Sequence, residues 1–493
     1  MIREYKSVYS SVIPGKQDSR WATETEIKQS STYIDLTADN FHAGGIPYIS
    51  DGRHAWVDTK DSHSLIFGST GSKKTRLFIM PLINILEKAG ESVIVTDPKG
   101  ELFRRTSKTA KDNGYNIVVL NLRTMDGDAW NPLALPYDLW QKGLEDEALT
   151  MLNDFVHSIS AKSEDVCNDL FWVQTARQLA TANLLLMMEA CTPEEANIGT
   201  FMQLCMEKNI SRLEKINNCY IGSETVCGMN YSSVLSEPEK TRNCTLATLA
   251  GMIQPFIANR KLVNMVANNS FDLSRIGMEK TAVYIIVPDE KTTFHFLVSS
   301  FIKQAYETLI QQAQKQPEGQ LPVRVNFVLD EFANIPPIAD FSSSISAARS
   351  RNIRYFLVVQ SMHQLKKKYG DEAETIKSNC DNWFYLYSKE IELLDEISRL
   401  CGKTTIDDCE RYLISSSELQ RLRKGWESSE VLIMAGRQYP IVTEIADIDC
   451  YGSFMSAGID LPSNEYLPYR SMDLSEVLEM LRNKEMTLFK RDL

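Results

Sequence analysis

Residues 68–75 read Gly68-Ser69-Thr70-Gly71-Ser72-Lys73-Lys74-Thr75, behind the apolar run Leu65-Ile66-Phe67 and ahead of Arg76-Leu77-Phe78-Ile79-Met80. The spacing is that of a phosphate loop, G-x-x-x-x-G-K-[ST], with Lys73 standing where the second glycine belongs. Such a loop wraps phosphate oxygens in successive backbone N–H groups at a helix N-terminus. Gly68 through Arg76 are the candidate nucleotide contacts, with Lys74 meeting charge and the Thr75 hydroxyl meeting Mg2+. Glycine at position 73 would let the backbone pass close to phosphate. A residue with a β-carbon in the left-handed conformation costs roughly 1–2 kcal/mol there. The expectation is that a second cation beside Lys74 preserves attraction for phosphate while alignment suffers.

A second constellation closes the run Asn326-Phe327-Val328-Leu329-Asp330-Glu331. Two carboxylates at the C-terminal end of a buried strand lie where ligands sit in open α/β sheets. In phosphoryl transfer from ATP, Asp330 would be the Mg2+ carboxylate and Glu331 the base that polarises water. Gln360 ends another apolar run, Val358-Val359, where an amide orients water or senses the γ-phosphate, or is only a polar strand end. Arg349, Arg351 and Arg354 read as a solvated cluster or as an arginine finger for a neighbouring subunit. Asp97-Pro98-Lys99-Gly100 reads as a turn before a helix. Lys366-Lys367-Lys368 is a basic run that is solvated or lines a DNA path.

The elements that must position these residues are legible as periodicity. Ser92–Thr96, Asn116–Leu120, Ala282–Val287, Val325–Leu329 and Tyr355–Val359 are continuous apolar runs suited to buried parallel strands. From about 145 to 270 helical spacing replaces them, as in Phe171, Ala176, Leu179, Ala180, Asn183, Leu184 and Met187. The fold class expected is therefore α/β: a phosphate-loop domain with a mostly parallel, doubly wound sheet and an inserted all-α domain. Its divisions are 1–60 (an arm and edge strands), 61–145 (first part of the nucleotide domain), 146–270 (all-α insertion), 271–460 (second part) and 461–493 (a tail with an amphipathic helix from Asp473 to about Met486).

The chain has 493 residues, 43% hydrophobic, with a net charge of −12. That balance excludes a disordered scaffold and a protein that coats nucleic acid with its whole surface, so nucleic-acid contact is confined to a local basic lining. Ten cysteines lack any C-x-x-C pair, which favours reduced thiols in the cytosol. No stretch approaches the about 20 apolar residues of a spanning helix.

Taken together, these pieces resemble the type IV secretion coupling proteins, the TraG-like branch of the FtsK/HerA superfamily. The resemblance is carried by Ser19-Arg20-Trp21-Ala22-Thr23, Asp97-Pro98-Lys99-Gly100-Glu101-Leu102, Trp130-Asn131-Pro132-Leu133, Phe171-Trp172, Leu329-Asp330-Glu331-Phe332-Ala333-Asn334, Arg349-Ser350-Arg351-Asn352-Ile353, Gln360-Ser361 with Gln364-Leu365, and Asn379-Cys380-Asp381. It implies a RecA-like ATPase using ATP and Mg2+, a homo-hexamer around a channel, and delivery of a relaxase–DNA complex or secreted protein to the secretion channel components. Single- or double-stranded DNA is an implied partner. By position, Gln360 would couple nucleotide state and Arg349 would act across the subunit interface. The family usually begins with membrane-spanning helices, so the chain resembles members that lack the anchor: cytoplasmic, and recruited to the membrane by a separate anchoring protein. The alternatives are a nucleotide-independent adaptor of the same fold and a HerA-like DNA translocase in defence or segregation.

Overall fold

The computed structural model describes residues 18–166, 169–406, 409–454, 458–461, 468–484 and 488. Its strands are β1 (Thr32–Asp35), β2 (Ile46–Ser50), β3 (His54–Asp58), β4 (Ser64–Gly68), β5 (Ser92–Asp97), β6 (Asn116–Asn121), β7 (Asp126–Gly127), β8 (Thr281–Ile286), β9 (Val325–Leu329), β10 (Ile353–Val359), β11 (Asn382–Tyr387), β12 (Lys403–Ile406), β13 (Cys409–Tyr412), β14 (Ser428–Ala435) and β15 (Ile441–Ala446). All but the β12–β13 hairpin form one sheet, in the order β1-β3-β2-β15-β14-β11-β4-β10-β9-β5-β8-β6-β7.

From β11 to β8 the pairing is parallel. A parallel sheet carries helices on both faces, so its strands read as unbroken apolar runs. Accordingly β4, β5, β8, β9 and β10 are buried along their whole lengths. The registers Phe67↔Val359, Leu357↔Leu329 and Thr96↔Leu329 align the strand ends. Gly68, Asp97, Asp330 and Gln360 therefore lie together at the C-terminal ends of the parallel strands.

Beyond β11 the sheet turns antiparallel through β14 and β15. β2 joins β15, and β3 and β1 follow. The Ser19–Thr23 piece is tied down here: Ser19 N–H donates to Lys403 O, and Thr23 caps helix Glu24–Ser30 reciprocally with Glu26.

The chain divides into two compact units. One takes in residues up to Val119, Leu273–Thr292 and Tyr306–Leu461; the other takes in Leu120–Asp272, Thr293–Ala305 and the described part of 462–493. The second unit is helical around Leu170–Ala190, which packs against Glu145–Val166, Val226–Leu235 and Glu239–Ile257. Its interior holds Leu179, Ala180, Leu184 and Met187, with Asn183 accepting from the Tyr231 hydroxyl at 2.8 Å. Phe171, grouped with those residues by periodicity, is instead exposed, because it lies in the first turn of the helix. The unit starts before the helical periodicity does. Trp130 N–H donates to Met265 O, and Asn131 N–H to Asn269 Oδ1 at 2.7 Å, so the Trp130–Leu133 turn packs with the last helices of the insertion. The tail helix runs Leu474–Lys484; its expected end at 485–486 lies outside the described residues.

Candidate nucleotide site

The phosphate loop leaves β4 at Gly68, where close approach demands glycine: a β-carbon there would meet the Ser72 hydroxyl and, at 2.7 Å, Lys74 Cγ. Gly71 turns through φ 78°. Thr75 opens a π-helical turn, Thr75–Ile79, continued by the α-helix Met80–Lys88; Pro81, which has no N–H to donate, lies at the junction where the wider turn gives way to the α-helix. The loop thus ends at a helix N-terminus, as its spacing predicts.

Four other residues close around it. Lys74 is buried, and its ammonium donates to Gly68 O and lies 3.9 Å from Glu331 Oε1. Burial pushes its pKa below the ordinary value, while Glu331 and Asp330 pull it back up. Gln360 Nε2 donates to Glu331 Oε2 at 2.7 Å and its carbonyl accepts from the Thr70 hydroxyl at 3.3 Å. Asn334 Nδ2 adds a 3.3 Å bond to the same carboxylate oxygen. Glu331 holds φ 54°, a left-handed conformation costing about 1–3 kcal/mol for such a residue and characteristic of functional sites. The backbone strain is set against that ring of donors.

Asp330 is buried, its Oδ1 accepting from the Glu331 N–H at 3.0 Å. Burial, then the adjacent Glu331 charge, pushes its carboxyl up to about 7. A divalent cation at that carboxyl would relieve both effects, so the donor set fits Mg2+. The buried Ser72 hydroxyl has no hydrogen-bond partner among the described residues. With the exposed Thr70 and Gly71, it leaves the loop open to an anion.

Lys73 departs from expectation. It adopts φ 71°, the conformation a glycine would take, but its ammonium turns to Asp447 Oδ2 at 2.7 Å, Gly425 O at 3.0 Å and Trp426 O at 3.2 Å. Arg76 turns the same way, onto Asp447 and Asp449. The cause is Asp447 itself, a carboxylate 1% exposed that needs cations close by. Burial works against its ionisation, but Arg76 and Lys73 hold its pKa below the usual value. The side-chain charges of Lys73 and Arg76 are therefore taken up by Asp447 and Asp449. Beside them a cavity of about 280 Å3 is lined by Ser69–Ser72, Leu386, Tyr387, Leu422 and Lys424.

Residues 16–424 match the family described as Type IV secretory system Conjugative DNA transfer. The chain belongs to this family. It is 24% identical over 372 residues to the conjugal transfer protein TraG of Escherichia coli, covering 70% of this chain and 55% of that one. The chain thus spans little more than half of that relative. Among solved structures, the plasmid coupling protein TrwB with the ATP analogue ADPNP aligns at TM-score 0.60 and 15% identity, over 88% of this chain and 95% of TrwB. TrwB with ADP and Mg2+ aligns at 0.60 and 14%, over 93% and 96%. The shared fold is the RecA-like one.

Other positions of the family pattern are placed differently. Asp97 accepts from the Glu101 and Phe103 N–H groups, capping helix Glu101–Asp112, and Gly100 takes φ 67°. Arg349 pairs with Asp381 at 2.6 Å and donates to Asn379 O, at the opposite end of β10 from Gln360. Arg354 is not part of a solvated face. It is 1% exposed and bonds Glu91 at 2.6 Å, Asn326 and three backbone carbonyls. Lys366, Lys367 and Lys368 are exposed on helix Met362–Tyr369, which starts just after Gln360. Sequence reasoning missed Asp447, an isolated acid with no motif around it, and gave no role to Asn334.

Proposed function

We propose that the chain is a Mg2+-dependent ATPase of conjugative DNA transfer, delivering relaxase–DNA or protein cargo to the secretion channel. The single observation behind this reading is the convergence of Thr70, Lys74, Glu331 and Gln360 into one hydrogen-bonded and ionic network beside Asp330. TrwB, of the same fold, is described in complex with ADPNP and with ADP and Mg2+. Bound Mg-ATP supplies the scissile phosphoanhydride and the metal's charge neutralisation. Backbone N–H groups of residues 73–75 would hold phosphate, while those of Ser69 and Ser72 donate to Tyr387 O and Ser69 O, and Lys74 would place a positive charge against it. Asp330 and the Thr75 hydroxyl would hold the metal. Glu331, fixed by Gln360 and Asn334, takes the proton of the attacking water, and Gln360 links that carboxylate to Thr70 on the loop. Arg349, remote from its own site, acts in a neighbouring subunit of a homo-hexamer. A separate membrane-anchoring protein brings the assembly to the cytoplasmic face of the membrane.

Steady-state Mg-ATP hydrolysis by the full chain, with and without DNA, tests this. Glu331→Gln is expected to lower turnover by at least about 100-fold while Mg-ADP still binds. Tight nucleotide binding with no turnover in the unmodified chain would assign it the adaptor role instead.

A further inference from the structure

The phosphate loop is tethered from outside. Lys73 reaches Asp447, Gly425 O and Trp426 O; Arg76 reaches Asp447 and Asp449; and Lys424 Nζ donates back to Gly71 O at 2.7 Å. All three tethers join residues 71–76 to the turn before β14 and the turn after β15. Asp447 is the centre: its Oδ2 takes Lys73, its Oδ1 takes Arg76, and it caps the 448–450 turn. Trp426, the neighbour whose carbonyl Lys73 engages, is 92% exposed, so the outer side of the tether faces solvent. A lysine adopts φ above zero at a steric cost that glycine does not bear. Here the side chain that creates this cost also makes the contacts that offset it, because a buried acid paired with a cation is strongly favoured over the same acid left unpaired.

We propose that Asp447 is a positioning residue for the phosphate loop, acting through Lys73, whose side chain pins the loop in the left-handed turn that a glycine would otherwise supply. Asp447 touches no phosphate in this scheme. It sets the backbone direction of the N–H groups of residues 73–75. The inference deepens the nucleotide-binding reading and rests on it.

The pair makes a specific claim about coupling. With Lys73 present, Asp447 is needed; with glycine at 73, the turn forms without it. The experiment is a cycle of Lys73→Gly, Asp447→Asn and the double variant, with Lys73→Ala as a β-carbon control, read by Mg-ADP titration and by thermal unfolding without nucleotide. Asp447→Asn and Lys73→Ala are each expected to weaken Mg-ADP binding about tenfold, matching the left-handed cost. Lys73→Gly is expected to bind within about threefold of the unmodified chain, and Asp447→Asn is expected to cost less in that background than in the unmodified chain, because only its pairing with Arg76 is then lost. A purely structural Asp447 predicts the same loss in both backgrounds, and that result overturns the proposal, as does undiminished binding by Lys73→Ala. If the unmodified chain binds no Mg-ADP, the nucleotide reading falls by itself. The tether is then judged on the melts alone: a smaller drop in Tm from Asp447→Asn in the Lys73→Gly background supports it, and an equal drop overturns it.

Discussion

Gln360, Asn334 and Lys74 arrive at the Glu331 carboxylate from three segments, and each leaves it differently disposed. Gln360 makes the shortest bond and also reaches Thr70 on the loop. Gln360→Ala is expected to lower turnover by about tenfold or more, since one charge-assisted hydrogen bond of about 1.5–3 kcal/mol is removed from the base, while Mg-ADP affinity stays nearly unchanged; parallel turnover and binding titrations check it. Asp330 gives a pH signature. Its carboxyl is raised to about 7, so it is neutral below that pH and ionised as pH rises through it. The Mg2+ dependence of nucleotide binding is expected to steepen as pH rises across about 7, and Asp330→Asn to flatten the profile. The acids themselves were legible from the sequence as an apolar run ending in Asp-Glu. Asp447 was not, because what makes it matter is a lysine 374 residues away. Arg354 was misread as surface for the same reason: its carboxylate, Glu91, lies 263 residues off.

Among the elements, helix Met80–Lys88 carries the loop and rests on a buried polar relay. Glu87 is fully buried, accepts from the Tyr284 hydroxyl at 2.6 Å, and Tyr284 in turn shares a hydrogen bond with Thr106 on helix Glu101–Asp112. Burial pushes the Glu87 carboxyl well above its ordinary 4.5, against the lowering effect of Tyr284. A raised carboxyl binds its proton more tightly when folded. Its contribution to stability is therefore complete below the unfolded value and is lost as pH rises through the folded one. Glu87→Gln is expected to make thermal stability less steeply pH-dependent above the ordinary carboxyl value of 4.5, with its largest relative gain at the highest pH measured. Strand identities such as β5 and β10 could be read directly, since burial on both faces writes an unbroken apolar run. The start of the helical unit could not, because Trp130–Leu133 belongs to it through backbone bonds to residues 265–270 rather than through any periodicity of its own.

For the whole molecule, an acidic chain grips DNA only where copies of a short basic segment converge. Lys366, Lys367 and Lys368 are exposed on the helix that follows Gln360 at the C-terminal end of β10. Replacing all three by alanine is expected to weaken DNA binding and flatten its salt dependence, with Mg-ADP affinity intact; tight, salt-sensitive DNA binding by a monomer would contradict the converging arrangement. Arg349→Ala is expected to abolish turnover while leaving Mg-ADP affinity nearly unchanged, measured together with subunit mass. Among the described residues no helix is long and apolar enough to cross a membrane. Fractionation of cells with and without the secretion apparatus is expected to shift the protein to the membrane only when the apparatus is present.

The strand order also sets a timetable for synthesis. β4, which carries the phosphate loop, lies between β10 and β11, and β5 lies between β8 and β9, so none of these partners exists until the helical segment has left the ribosome. At about 5–20 residues per second, the nascent chain holds two apolar strands without neighbours for tens of seconds. Such edges invite pairing with other chains. A chain that stops before Asn382 lacks β11, so β4 keeps one side open, and the cavity beside the loop is complete only once Leu422 and Lys424 have been added.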